Sequence, residues 1–188
     1  ASFAGSVIGL YFSGITGSNN NIPNNFIHSF SVSSTSAAIY GIKIASGAST
    51  YSNNIITLGG NAPATIYGIY ETGAAGNNNN LYFNTVYVGG APASGALNSY
   101  ALYSAATTNN RNFRNNILYN ARSNSGAGGK HYAVRVAGTS AALTIDYNDY
   151  YAPGTGGVLG LFVAADQATL DAWKLATGQD AYSKNINP

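Results

Sequence analysis

Ile66-Tyr67-Gly68-Ile69-Tyr70 is the stretch on which the fold turns, because the chain repeats it with variation. Other copies are Val7-Ile8-Gly9-Leu10-Tyr11, Ile39-Tyr40-Gly41-Ile42-Lys43 and Ser99-Tyr100-Ala101-Leu102-Tyr103. Two more follow, His131-Tyr132-Ala133-Val134-Arg135 and Val158-Leu159-Gly160-Leu161-Phe162. The small central residue falls at 9, 41, 68, 101, 133 and 160, in steps of 32, 27, 33, 32 and 27. A phrase recurring every 20–50 residues or so marks a stacked repeat architecture. A second phrase keeps the same beat: an apolar residue, two others, an Asn, and an apolar residue two places on. It reads Ile22…Asn25…Ile27, Tyr51…Asn54…Ile56, Leu81…Asn84…Val86, Phe113…Asn116…Leu118 and Ile145…Asn148…Tyr150. Two phrases in step do not arise by chance.

Each repeat holds three short strand-like runs, as in Ile39 to Ile44, then Asn80 to Phe83, then Thr85 to Val88, joined by loops of Gly, Ala, Ser and Asn. Three strands in so few residues leave no room for helical crossovers. They fit one turn of a right-handed parallel β-helix, an all-β solenoid of about six coils. Residues 1–164 are assigned to the β-helix, and 165–188 to a short helix and tail packed on its end. Alternation of side chains along a strand points Tyr40/Tyr67/Tyr100/Tyr132 and Leu10/Ile42/Ile69/Leu102/Val134/Leu161 inward. It leaves the small central residues outside, beside a second outer column of Tyr11, Lys43, Tyr70, Tyr103, Arg135 and Phe162. In the third strand Ile27, Ile56, Val86, Leu118 and Tyr150 point inward. The Asn column, Asn25, Asn54, Asn84, Asn116 and Asn148, is read as a structural ladder. Asn tolerates the left-handed backbone of a sharp turn, and stacked amides bond one another along the axis.

Beyond Ala165 the grammar stops, and Asp166 to Gly178 predicts one helix. Asp166 or Thr169 caps its start, Trp173 is buried beneath it, and Gly178 ends it.

The run Asp146-Tyr147-Asn148-Asp149-Tyr150-Tyr151, then Leu161-Phe162, Leu170…Trp173 and Ala176-Thr177-Gly178-Gln179-Asp180…Ser183…Pro188 carries a resemblance. So do Asn84-Thr85-Val86-Tyr87-Val88-Gly89 and Arg111-Asn112-Phe113-Arg114-Asn115-Asn116-Ile117. They resemble the right-handed parallel β-helix regions of large secreted or cell-surface proteins of Bacteroidetes-type Gram-negative bacteria. The resemblance implies a segment of a long multidomain chain and an extracellular or cell-surface location. It carries over no catalytic residue.

Composition narrows the function. Only 7% of the residues are charged, against about 25% in ordinary soluble domains. The net charge of +2 gives no footprint for nucleic acid. There is no Cys for a disulfide or thiolate site, and no apolar run long enough to span a bilayer. No cofactor, metal or catalytic set is assigned. Asp146 and Asp149 straddle Asn148 and could share a hard cation, but a solvated turn is the plainer reading. Arg111, Arg114, Arg122, Lys130, His131 and Arg135 gather in the fourth and fifth coils. Arg114 and Asp146 should be axial neighbours that absorb part of that charge in an ion pair, while His131 lies in the outer half of a strand without an evident nucleophile or carboxylate partner. His28 reads as a surface residue.

The outer column of Tyr11, Lys43, Tyr70, Tyr103, Arg135 and Phe162 is the candidate ligand or partner face. Aromatics on a flat strand face stack sugar rings, whereas the plainer reading is cations resting on rings within the coil. The expected function is a non-enzymatic module, a stalk, adhesin or filament segment. The alternative is a carbohydrate-active β-helix that binds or cleaves a polysaccharide. Candidate partners are another copy of the chain, further coils of a parent chain, and polysaccharide. Since Val7 already begins a coil, Ala1 is not expected to be a natural start, and further coils, a cap or a second chain should cover the first coil.

Overall fold

The computed structural model describes residues 5–17, 19–35, 37–72 and 76–188. Ala1 therefore lies outside the described residues, and with it the expectation that it is no natural start. The first coil consists of β1 (Val7–Ser13), β2 (Asn20–Pro23) and β3 (Phe26–His28). The second is β4 (Ala38–Ser46), β5 (Ser49–Ser52) and β6 (Ile55–Leu58), and the third β7 (Thr65–Glu71), β8 (Asn79–Tyr82) and β9 (Thr85–Val88). The fourth is β10 (Ser99–Ser104), β11 (Arg111–Arg114) and β12 (Ile117–Asn120). The fifth is β13 (His131–Val136), β14 (Leu143–Asp146) and β15 (Asp149–Tyr151), after which β16 (Gly157–Phe162) opens a sixth.

Strands of equal rank pair in parallel from coil to coil, forming three sheets in the orders β1-β4-β7-β10-β13-β16, β2-β5-β8-β11-β14 and β3-β6-β9-β12-β15. The protein is a parallel β-solenoid, as the repeat grammar demands. Six strands in the first sheet and five in the others mean that a sixth coil is begun but not completed. The first sheet gains a last, antiparallel strand, β17 (Ala165–Gln167), and α1 (Leu170–Thr177) follows.

The Asn ladder runs the length of the solenoid, at the corner between the second and third sheets. Asn54 Oδ1 accepts from Asn25 Nδ2 at 2.8 Å and from Asn25 N at 3.0 Å. The pattern repeats from Asn54 to Asn84 (2.9 and 3.1 Å), Asn84 to Asn116 (3.0 and 3.0 Å) and Asn116 to Asn148 (3.0 and 3.0 Å). The residue before each ladder Asn takes positive φ at Asn24, Asn53, Phe83, Asn115 and Tyr147. The left-handed turn therefore precedes the ladder residue instead of falling on it. Each amide fixes the backbone N–H at its neighbour's corner, so the column is a turn template as much as a stack.

The first sheet breaks simple alternation, and this corrects its predicted faces. In β7 Ile66, Gly68, Ile69 and Glu71 are buried while Tyr67 and Tyr70 face outward. Gly68 and Ile69 are consecutive inward residues, and cross-strand pairing skips the glycine. The cause is close approach. A Cβ on Gly68 would lie 2.2 Å from Val86 Cγ1 and 2.4 Å from the Ala101 carbonyl oxygen. The small residue bends the strand and admits the side chain of the third sheet into the notch. The tyrosines Tyr40, Tyr67, Tyr100 and Tyr132 thus lie on the outer face of the sheet, where Tyr100 and Tyr132 are nonetheless buried, and the glycine column lies inside.

The phrase in β16 also slips by one. Gly160 pairs with Val134, Leu161 with Arg135 and Phe162 with Val136. Leu161 therefore joins the outer column and Phe162 the inner one. Trp173 closes over this end, fully buried, and packs edge-on against Phe162 with ring centroids 6.0 Å apart. Gly160 leaves the space the indole occupies, since its Cβ would be 2.4 Å from Trp173 Cε3. Thr169 caps α1, accepting from Ala172 N at 3.2 Å, and Gly178 ends it at φ 69°. Asp166 is not the cap but a residue of β17.

The tail then imitates a coil. Ser183 Oγ accepts from Asn148 N at 2.9 Å, in the place of the next ladder amide. Lys184 N donates to Asn148 O and Lys184 O accepts from Tyr150 N, which extends the third sheet. Gln179 Oε1 accepts from Ile145 N at 2.9 Å, and Asp180 N donates to Ile145 O, along the second.

Candidate functional site

The outer face of the first sheet carries two interlocked rows of rings. In the first, Tyr40 and Tyr67 stack at 4.8 Å and 8°, Tyr67 and Tyr100 at 5.3 Å and 11°, and Tyr100 and Tyr132 at 5.4 Å and 7°. The parallel register places like on like at each coil, which makes the stack a direct product of the repeat. The second row is the predicted column, with Phe162 replaced by Leu161. Tyr70 and Tyr103 meet edge to face at 5.2 Å and lean on Tyr67 and Tyr100 at 5.0 and 5.1 Å. A cation flanks the pair on each side. Lys43 Nζ sits 4.9 Å from the Tyr40 ring centre and 6.0 Å from Tyr11, and the Arg135 guanidinium 4.2 Å from Tyr103 and 5.7 Å from Tyr100.

Burial and the neighbouring phenols hold the Tyr67 hydroxyl well above its ordinary range. At the far end Tyr132 Oη donates to Asp166 Oδ1 at 2.9 Å, and Lys130 bonds the other oxygen of that carboxylate. Burial would raise the Asp166 carboxyl, but the bonds from Lys130 and Tyr132 outweigh it and hold it below its usual value. Chemically this face offers ring edges, hydroxyls and two cations. A sugar platform needs an open ring face, and in the first row those faces are taken by the adjacent rings. Tyr11, 58% exposed at the first coil, is the most open of the column.

The basic cluster dissolves on folding. Arg111 is buried and donates to four backbone carbonyls, those of Ala106, Asn109, Thr139 and Ala141. Arg122 is buried and reaches back two coils to Gly60 O at 2.9 Å and Ala62 O at 2.7 Å. Arg114 and Asp146 are register partners, as expected, yet among the described residues they form no ion pair. Asp146 Oδ1 instead accepts from the backbone N–H groups of Tyr147 and Tyr182, both at 2.8 Å. Asp149 Oδ1 accepts from Ile186 N at 3.1 Å, so the two carboxylates that could have shared a cation serve the tail. Among the described residues no group of three or more His, Asp and Glu side chains is placed to hold a metal ion.

His131 is not an outer residue. It is buried, with Nδ1 2.9 Å from Ser99 Oγ and Nε2 2.9 Å from Asn124 Oδ1. The contact has the elements of a nucleophile and its base, but Ser99 is also fully buried and no substrate reaches it. Burial, with Arg122 nearby, drops the His131 pKa to about 4 and keeps the ring neutral. Glu71 is likewise buried, accepting from Ser104 Oγ and from Asn79 Nδ2 at 2.8 Å. Burial raises its pKa to about 7 despite those bonds and the field of Arg111. The repeat pattern did not single out Glu71, and it placed His131 without a partner. Their signal was a polar residue in an inward column, Glu71 below Ser104 and Ser99 below His131.

Comparison with protein-family models, with curated proteins and with solved structures gave no match to this chain.

Proposed function

We infer that the chain is a non-enzymatic structural module, a stalk, adhesin or filament segment of a large extracellular bacterial surface protein. The observation that carries this reading is how the polar side chains are used. Ladder amides, buried arginines, Glu71 and His131 all bond other parts of the solenoid, and most of these bonds run from coil to coil. Such bonds stiffen a rod along its axis. Sparse charge fits a surface built from repeated ladders, and the likeness to surface-protein β-helices supports an extracellular location.

Prolonged incubation with plant, algal and bacterial polysaccharides tests the reading. No new reducing or unsaturated ends are expected, and their reproducible appearance would establish an enzyme instead.

A further inference from the structure

The outer face of the second sheet holds a groove of about 530 Å³, away from the tyrosine face. Its floor follows from register. Ser49, Asn79, Arg111 and Leu143 are axial partners pointing inward, so the residues on either side of them also stack. One column is Ala48, Asn78, Asn110 and Ala142, and the other is Thr50, Asn80, Asn112 and Thr144. Thr16, Gly17 and Asn19 of the first coil's loop form a wall. At the centre, four amides from two successive coils stand side by side.

These amides are oriented. Asn80 Nδ2 donates to Thr50 Oγ1 at 3.0 Å, Tyr82 Oη donates to Asn80 Oδ1 at 3.2 Å, and Asn112 Nδ2 donates to Tyr82 Oη. Asn78 Oδ1 accepts from Asn110 N at 2.8 Å. Each Asn80 or Asn78 amide keeps at least one N–H hydrogen beyond these bonds, and the Asn110 side chain is exposed. Among the described residues the only charged one in the lining is Arg111, four of whose five guanidinium N–H groups donate to carbonyls.

We propose that this groove binds a neutral glycan chain lying along the solenoid axis. A pair of amides presents donors and acceptors together, as the neighbouring hydroxyls of a sugar require. An amide pair repeated on two successive coils suits a ligand that repeats too, and the volume lies in the range of ordinary ligand sites. Arg111 is buried with its guanidinium turned to backbone carbonyls, so the groove presents no exposed charge to a uronate, a sulfated sugar or a phosphate. Pinning Asn80 between Thr50 and Tyr82 also lowers the entropy lost on binding. The site is independent of the structural role inferred above.

Affinity electrophoresis of the intact chain in gels containing soluble β-glucan, mannan, galactan or xylan tests it, with polygalacturonate and alginate as anionic controls. At least one neutral polymer should retard the protein, and the anionic ones should not. Asn80→Ala/Asn110→Ala should weaken the retardation about tenfold, the loss of a hydrogen bond or two, without changing the melting temperature by more than a few degrees. Tyr87→Ala, exposed on the third sheet, should bind as the parent does. Ala142→Asn should tighten binding, because it extends the amide column at a position whose φ of 56° suits Asn. Failure of every neutral polymer to retard the parent protein would overturn the proposal. So would stronger binding to an anionic polymer, or a double variant that folds and binds undiminished.

Discussion

At the residue scale the informative positions are those where a polar side chain is enclosed. Each interior ladder Asn both accepts from the coil before it and donates to the coil after it. Asn84→Ala removes the acceptor of Asn54 N and of one Asn54 Nδ2 hydrogen, the other still bonding Ile22 O, and leaves them unpaired in a buried corner, at a cost of about 1–3 kcal/mol. Asn25, at the end of the row, accepts from no ladder amide among the described residues, so Asn25→Ala should cost clearly less. Chemical denaturation of both variants checks this, and equal losses would contradict the ladder as a source of stability. Glu71 and His131 make a second, pH-dependent pair of tests. Glu71 titrates at about 7 when folded against 4.5 for a free carboxyl, so its neutral form favours folding. Its contribution is complete below 4.5 and lost as pH rises to about 7. His131 has the opposite sense. Its folded value of about 4 against 6.5 means that stability falls as pH drops from 6.5 towards 4. Between 4.5 and 6.5 the two slopes oppose each other. Glu71→Gln should therefore gain on the parent protein as pH rises from 4.5 to about 7, and then stay level with it in slope. Denaturant midpoints across that range decide the matter, and parallel curves would show that folding does not shift the Glu71 pKa.

At the scale of elements, the parts legible in the sequence were those that repeat. The spacing of two phrases placed every strand of the second and third sheets and each ladder Asn, because a parallel solenoid converts periodicity directly into axial neighbours. The first sheet was misread for a physical reason. Alternation assumes a straight strand, and Gly68 bends its strand so that Tyr67 and Tyr70, three apart, both face out. The groove on the second sheet was within reach: Asn80 and Asn112 stand four residues before Asn84 and Asn116, and carrying the ladder register backward would have stacked them. The closing tail was half legible. Trp173 and Gly178 marked the helix, whereas nothing periodic could show that Ser183 and Lys184 stand in for a coil. Asp180 joins this cap, accepting from Trp173 Nε1 at 2.6 Å, from Tyr150 Oη and from Ser183 Oγ. Ser183→Ala should leave Asn148 N without its acceptor and lower the melting temperature by several degrees, on the order of 1–2 kcal/mol. Trp173→Ala removes a fully buried indole and should cost about 3–5 kcal/mol. A tail that merely lies on the surface would give no effect in the first variant.

The whole molecule is a row of near-equivalent coils in which each touches mainly its neighbours, so stability is shared along the axis and an end held on one side only is the weakest place. Its two ends differ. At one, β17, α1 and the tail meet the edges of all three sheets. At the other, β1, β2 and β3 are edge strands among the described residues, and Ile15 is 74% and Phe26 65% exposed beside them. Leu10, Phe12 and Ile22, the inner residues of that coil, are only partly buried. Unpaired backbone on a flat edge exchanges with solvent and invites another strand. Hydrogen exchange on the 188-residue chain at low concentration should therefore show a gradient. Amides of β1 to β3 should exchange fastest, those of β7 to β12 slowest, and those of β13 to β15 close to the centre because the tail covers them. Repeating the measurement at high concentration, alongside light scattering, tells whether a second copy covers that end. Protection that rises in β1 to β3 together with the scattering mass would identify that end as a self-association surface. A first coil as protected as the fifth in a dilute monomer would instead mean that a solenoid edge of this kind is stable uncovered, and the axial sharing of stability would have to be abandoned.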